Sequence, residues 1–115
     1  GVIALAMAMR TAMLGRQGFR AAGQRCVDAA HYLRAGLEKL DGFELPYAAP
    51  VFNELVIRSQ GPDAAELVAR LAREGIIAGV DLGRFRDAWR KDLLVAVTEL
   101  HTSEDLDRLL AALAQ

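Results

Sequence analysis

The 115 residues suffice for one domain with one core, and a hydrophobic content of 53% excludes a disordered chain. The formal net charge is −1, and the richest basic cluster, Arg84, Arg86, Arg90 and Lys91, is interrupted by Asp87 and followed by Asp92, so a nucleic-acid surface is excluded as well. The single cysteine, Cys26, permits no internal disulfide and fits a reducing, cytoplasmic setting.

Residues 1–14 are dominated by Ala, Leu and Met and predict a helix. Their apolar run ends at Arg10, short of the roughly 20 residues a membrane-spanning helix needs. No basic stretch precedes it, as a signal peptide requires. The apolar residues surround the whole circumference, and a helix of that kind is buried on most sides. A domain of this size could hardly cover it, so the expectation is a piece of a larger protein, with 1–14 a buried helix linking to a missing large domain.

Leu14-Gly15-Arg16-Gln17-Gly18 breaks the pattern, and a long helix follows from about Gly18 to Leu40. Phe19, Ala22, Cys26, Ala29 or Ala30, Leu33, Leu37 and Leu40 make its apolar stripe, and Gly42 is placed to cap it. Phe43 to Tyr47 reads as a short edge strand because Pro46 cannot donate to a ladder. Val51 to Arg58 reads as a strand with Leu55 and Ile57 on one face and Val56 and Arg58 on the other. A helix then carries Ala64, Leu67, Val68 and Leu71 inward and ends at Gly75. Two apolar runs, Ile76-Ile77-Ala78 and Leu93 to Val97, predict strands around a polar loop. Thr102 or Ser103 caps a last helix that buries Leu106, Leu109, Leu110 and Leu113. The order predicts a single α+β domain over 1–115: a small, mostly antiparallel sheet with helices on one face.

The chemistry is sparse. His31 lies on the long helix as a surface or interface residue, and His101 before the last helix suits a loop hydrogen bond. No cluster has metal-ligand spacing, and no Ser or Cys has a nucleophile context. Lys39 and Lys91 lack the apolar surroundings of a Schiff-base amine. The loop Gly79-Val80-Asp81-Leu82-Gly83-Arg84-Phe85 is the most distinctive stretch. Its glycines let the backbone come close to another body. Arg84 offers a planar fork for a carboxylate or phosphate, and Phe85 an apolar anchor. The bland alternative is a solvent-facing Asp81–Arg84 pair. Asn53, at a strand edge, completes the contact candidates Asn53, Asp81, Arg84 and Phe85.

Several segments, in order along nearly the whole chain, resemble the C-terminal region of the glycine-cleavage P-protein, glycine dehydrogenase (decarboxylating), subunit 1. They are Leu14-Gly15-Arg16-Gln17-Gly18, Ala30-His31-Tyr32-Leu33, Val51-Phe52-Asn53-Glu54-Leu55-Val56, the Gly79–Phe85 loop, and Leu93 to Leu100 followed by Thr102-Ser103-Glu104-Asp105. Arg86-Asp87-Ala88-Trp89 departs from the Tyr- and Pro-containing segment usual there. The resemblance implies the C-terminal small domain of a fold-type I pyridoxal-phosphate enzyme. In such an oxidoreductase the cofactor and its lysine belong to a large domain, and glycine is decarboxylated with aminomethyl transfer to the lipoyl H-protein. Subunit 2 of the P-protein is the implied partner. The chain itself is then expected to bind no pyridoxal phosphate and to play an assembly role. The alternative is a free-standing ligand-binding or dimerisation module that buries its first helix in a homodimer.

Overall fold

The computed structural model describes residues 1–115. Helix α1 spans Val2–Leu37, and strands β1 (Phe43–Glu44) and β2 (Glu54–Ser59) follow. Helix α2 (Ala64–Arg73) leads to β3 (Val80–Asp81). Two 3₁₀ turns, Leu82–Arg84 and Asp87–Trp89, precede β4 (Asp92–Ala96) and helix α3 (Ser103–Leu113). The strands form one sheet in the order β1-β2-β4-β3, with every pairing antiparallel.

The β2–β4 ladder is the centre, with Leu55 opposite Val95 and Ile57 opposite Leu93. Side chains alternate across a strand, so these four share one face, and all four are buried. Ala30, Leu33 and Leu37 of α1, Ala64 and Leu71 of α2, and Leu106, Leu109, Ala112 and Leu113 of α3 join them in one core cluster. The helices therefore lie on one face of the sheet, as the alternation of β2 predicts.

Helix ends follow local chemistry. Thr102 caps α3: its hydroxyl accepts from the Asp105 N–H at 3.2 Å, while the Asp105 carboxylate accepts from the Thr102 N–H at 2.9 Å. The Thr102 backbone and side-chain hydrogen bonds hold Asp105 below the usual aspartate range. Helix α2 ends in a Schellman arrangement, with the Gly75 N–H on Ala72 O at 3.0 Å and the Ile76 N–H on Leu71 O at 2.9 Å. Asp63 stands at its N-cap.

Three expectations are corrected. The long helix stops at Leu37, not Leu40, because Lys39 and Leu40 donate three residues back, to Gly36 and Leu37, in tightened turns. Gly42 therefore lies in the turn before β1 rather than at the helix cap. Ile76-Ile77-Ala78 is not a strand; pairing with β4 begins only at Val80. The Schellman turn leaves Ile77 96% exposed, while Ala78 enters the core and Ile76 packs against it, so the run serves the core without pairing in the ladder.

Helix α1 bends at Gly15, whose φ of 61° and ψ of −177° suit only glycine. Residues 2–14 are helical and project from the body. Val2, Ile3, Leu5, Met7, Met9 and Met13 are between 58% and 86% exposed. The radius of gyration is 15.8 Å, against about 13 Å for a compact domain of this length. No helix is long and apolar enough to cross a membrane.

Gly79 marks the tightest packing. A Cβ there would run into the Leu94 carbonyl of β4, at a φ of +155°. Gly79→Ala is expected to cost about 3 kcal/mol or more in urea unfolding, from strain and overpacking together. Gly42 shares a positive φ with open space around it, so Gly42→Ala is expected to cost only about 1–2 kcal/mol. Equal losses would show that backbone conformation alone, not the approach to β4, decides the site.

Candidate functional site

β4 is long enough to separate two polar regions. At its Asp92 end sit β3 and the two 3₁₀ turns. The Asp81 carboxylate accepts from the Gly83 N–H at 2.7 Å and so caps the first turn. Asp81 and Arg84 do not pair with each other. The Arg84 guanidinium instead lies over the Phe85 ring, 5.6 Å from its centroid, and Arg86 lies over Trp89 at 4.9 Å. Neither arginine has a carboxylate within salt-bridge distance.

This loop is firmly built. A Cβ on Gly83 would collide with the Arg90 backbone, so glycine lets the two turns stack. The Ala64 N–H donates to Arg90 O at 2.8 Å, and Lys91 Nζ donates to Gly61 O at 2.6 Å, tying the loop to the start of α2. Phe85 nonetheless stays 66% exposed. An exposed aromatic on an anchored loop, flanked by unpaired guanidiniums, has the composition of an interface hot spot.

Asn53 lies elsewhere. Its carbonyl accepts from the Val97 N–H at 2.8 Å, at the far end of β4 from the loop. The structure thus brings Asp81, Arg84 and Phe85 together and leaves Asn53 apart. Around that far end Arg10 pairs with Glu99 at 3.1 Å, and the largely buried Cys26 thiol donates to the same carboxylate at 3.7 Å. His101 Nδ1 accepts from the Thr98 N–H at 2.9 Å, a loop hydrogen bond, and His31 is exposed.

Two features escaped sequence reasoning. One is the Arg86–Trp89 stack. The other is a bidentate ion pair on the sheet face away from the helices, where Arg58 donates through Nε at 2.6 Å and Nη2 at 2.9 Å to Asp92. Asp92 is 1% exposed, and a carboxylate so buried needs a partner. The hydrogen bond to Asp92 raises the Arg58 pKa above its ordinary value. Strand alternation places Arg58 on the outer face, but only the register reveals that Asp92 lies opposite.

The residues do not fit covalent attachment of pyridoxal phosphate. Lys39 is exposed in the turn after α1, and Lys91 is held on a surface carbonyl. Neither stands in the apolar pocket that activates a Schiff-base amine. No group of three or more His, Cys, Asp or Glu side chains could hold a metal.

No family model matches the chain. Among solved structures, it is similar to glycine decarboxylase (P-protein) of the glycine cleavage system in inhibitor-bound form, with a TM-score of 0.82 and 33% identity over 93% of this chain and 24% of that one. It shares its fold with a NifS-like protein from Rickettsia africae, with a TM-score of 0.66 at 13% identity, over 81% of this chain and 28% of that one. The class defined by this architecture is the small α+β domain of fold-type I pyridoxal-phosphate enzymes.

Curated relatives narrow the class. Probable glycine dehydrogenase (decarboxylating) subunit 1 of Sorangium cellulosum is 48% identical over 99% of this chain and 25% of its own length. The subunit of the same description in Chlorobium limicola is 40% identical over 96% of the chain and 24% of its own length. The chain belongs with glycine dehydrogenase (decarboxylating) subunit 1 and spans about a quarter of the length of these relatives.

Trp89 is the only tryptophan, which makes the loop observable. Arg86→Ala is expected to raise acrylamide quenching of Trp89 fluorescence by uncovering a ring face, with stability changed by no more than about 0.5 kcal/mol, as for most surface substitutions. Unchanged quenching would show that the stack does not persist in solution.

Proposed function

We propose that these residues act as the small domain of a glycine-cleaving P-protein subunit, in an oxidoreductase of glycine catabolism that works in the cytoplasm. The observation that carries this reading is the 48% identity maintained over 99% of the chain. The architecture supports it through the likeness to a glycine decarboxylase structure. In the whole enzyme pyridoxal phosphate supplies the electron sink for decarboxylation. The residues that hold it belong to the large domain, and the lipoyl H-protein receives the aminomethyl group.

This domain's contribution is assembly. Helix 2–14 lies against the large domain, where its all-round apolar surface is removed from water. The Gly79–Phe85 loop faces the large domain or subunit 2, with Arg84 as its main polar contact. The exposed first helix alone would equally serve a homodimer of a free-standing module, but the identity along the full chain favours the enzyme.

The test uses the full subunit 1 assembled with subunit 2. Deleting the segment equivalent to 1–115 is expected to abolish both subunit association and glycine decarboxylation. Borohydride reduction of the intact holoenzyme is expected to leave cofactor on neither Lys39 nor Lys91. Retained activity after the deletion, or a reduced adduct on either lysine, would overturn the reading.

A further inference from the structure

We propose that helix 2–14 is a hinged arm: Gly15 is its pivot, and the Arg10–Glu99 ion pair is the latch that holds it in its bent direction. The inference concerns only this chain's own residues, and it goes beyond the P-protein reading without resting on it.

The pivot is a single residue. Within Val2–Leu37 only Gly15 leaves helical φ/ψ, at φ 61° and ψ −177°. A residue with a side chain is strained there and returns to the helical region, so glycine is what lets the chain turn. The bend is also open. A Cβ on Gly15 would meet nothing within 4 Å, and a cleft of about 510 Å³ lined by Thr11, Ala12, Gly15, Arg16, Phe19 and Arg20 lies beside it. Leu14 is the one half-buried residue of the arm, and its side chain lies against Gly18. It adjoins the pivot, where a contact has little leverage on the arm's direction.

The latch is equally local. Arg10 is the one residue of 2–14 whose side chain hydrogen-bonds or ion-pairs beyond the helix, donating to Glu99 Oε1 at 3.1 Å. Residues 2–13 are all exposed, so packing adds little to that hold. The two ends of the pair differ. Glu99 belongs to a built turn, in which the Thr98 N–H donates to His101 Nδ1 at 2.9 Å and the His101 N–H to Thr98 O at 3.2 Å. The Cys26 thiol, on the body's side of the bend, donates to Glu99 Oε2 at 3.7 Å. The Glu99 side chain is 25% exposed and that of Arg10 62%. The carboxylate is thus fixed on the body, and the arm comes to it.

An ion pair this exposed is weak and screened by salt. Breaking it shifts the ratio of latched to released arms by about fivefold at most. Arg25 has no acidic partner and borders the same cleft as Glu99, so release leaves a cation near the carboxylate. States that differ so little are shifted by small biases.

The test is double electron–electron resonance on the 115-residue chain, with spin labels introduced as unnatural amino acids at positions 5 and 60 so that Cys26 stays in place. One dominant distance is expected at low salt. Glu99→Gln and Arg10→Gln should each lower the latched-to-released ratio about three- to fivefold, and salt at about 1 M should do the same to the unaltered latch. The exchanged pair, Arg10→Glu with Glu99→Arg, should restore the ratio to within about twofold, a rescue that a merely structural role for Glu99 does not give. Arg16→Gln, beside the pivot but outside the latch, should leave the ratio as it is. Gly15→Ala should remove the latched distance and replace it with the single distance of a straight helix. Unaltered distances in both Glu99→Gln and Arg10→Gln, or an exchanged pair that stays released, would overturn the latch. The latched distance persisting in Gly15→Ala would overturn the pivot.

Discussion

Leu55, Ile57, Leu93 and Val95 stand on one face of the β2–β4 ladder, and all three helices are held by that face. The ladder also orders the rest of the chain. Its outer face closes at one end with the Arg58–Asp92 ion pair, which keeps a buried carboxylate satisfied. Its free edge receives β3 for only two residues, because Gly79 brings the chain against Leu94 and the Schellman turn before it carries Ile77 outward. The polar loop is launched from that short contact. Shifting the register by one residue would turn the four core positions to solvent and detach the helices.

The domain exposes more surface than its mass accounts for. Its accessible area is 7836 Å² for 12.5 kDa, where a compact monomer of that mass would expose about 6,200 Å². The excess, about 1,600 Å², is larger than one partner's share of a standard protein interface. The projecting helix contributes to it, with Val2, Ile3, Leu5, Met7, Met9 and Met13 all mostly exposed. The relatives are about four times as long as this chain, so the material to cover such a surface exists in proteins of this kind.

Much of this was legible in the residues. Helical periodicity located α2, α3 and the inner stripe of α1 at Ala30, Leu33 and Leu37, and alternation located β2. The Leu14–Gly18 stretch announced a break, which is a kink at Gly15 within one helix, and of Thr102 and Ser103 it is Thr102 that forms the cap. The misplaced strand at Ile76–Ala78 has a physical cause: a short apolar run predicts a buried strand, but after the turn at Gly75 only Ile76 and Ala78 face the core, Ile77 points outward, and pairing begins at Val80. Sequence reasoning placed Asp81, Arg84 and Phe85 in one loop because they are adjacent in the chain. It could not separate Asn53 from them, since that depends on which end of β4 each element meets. The Arg58–Asp92 pair and the Arg86–Trp89 stack depend on register and side-chain conformation, which no periodicity encodes. The ordered resemblance to P-protein subunits carried the family assignment that composition alone could not reach.

Hydrogen exchange at residues 2–14 tests most directly whether this domain is completed by a larger body. Exchange is compared between the isolated 115-residue chain and the full-length subunit. The expected result is rapid exchange in the isolated chain, because a helix of 13 residues tied to the body by the Arg10–Glu99 ion pair, with its apolar side chains mostly exposed, is marginal in water. In the full-length subunit the same amides should be protected to the level of the β2–β4 core. Equal, rapid exchange in both would contradict the claim, since the apolar helix would then remain uncovered in the protein it was expected to join.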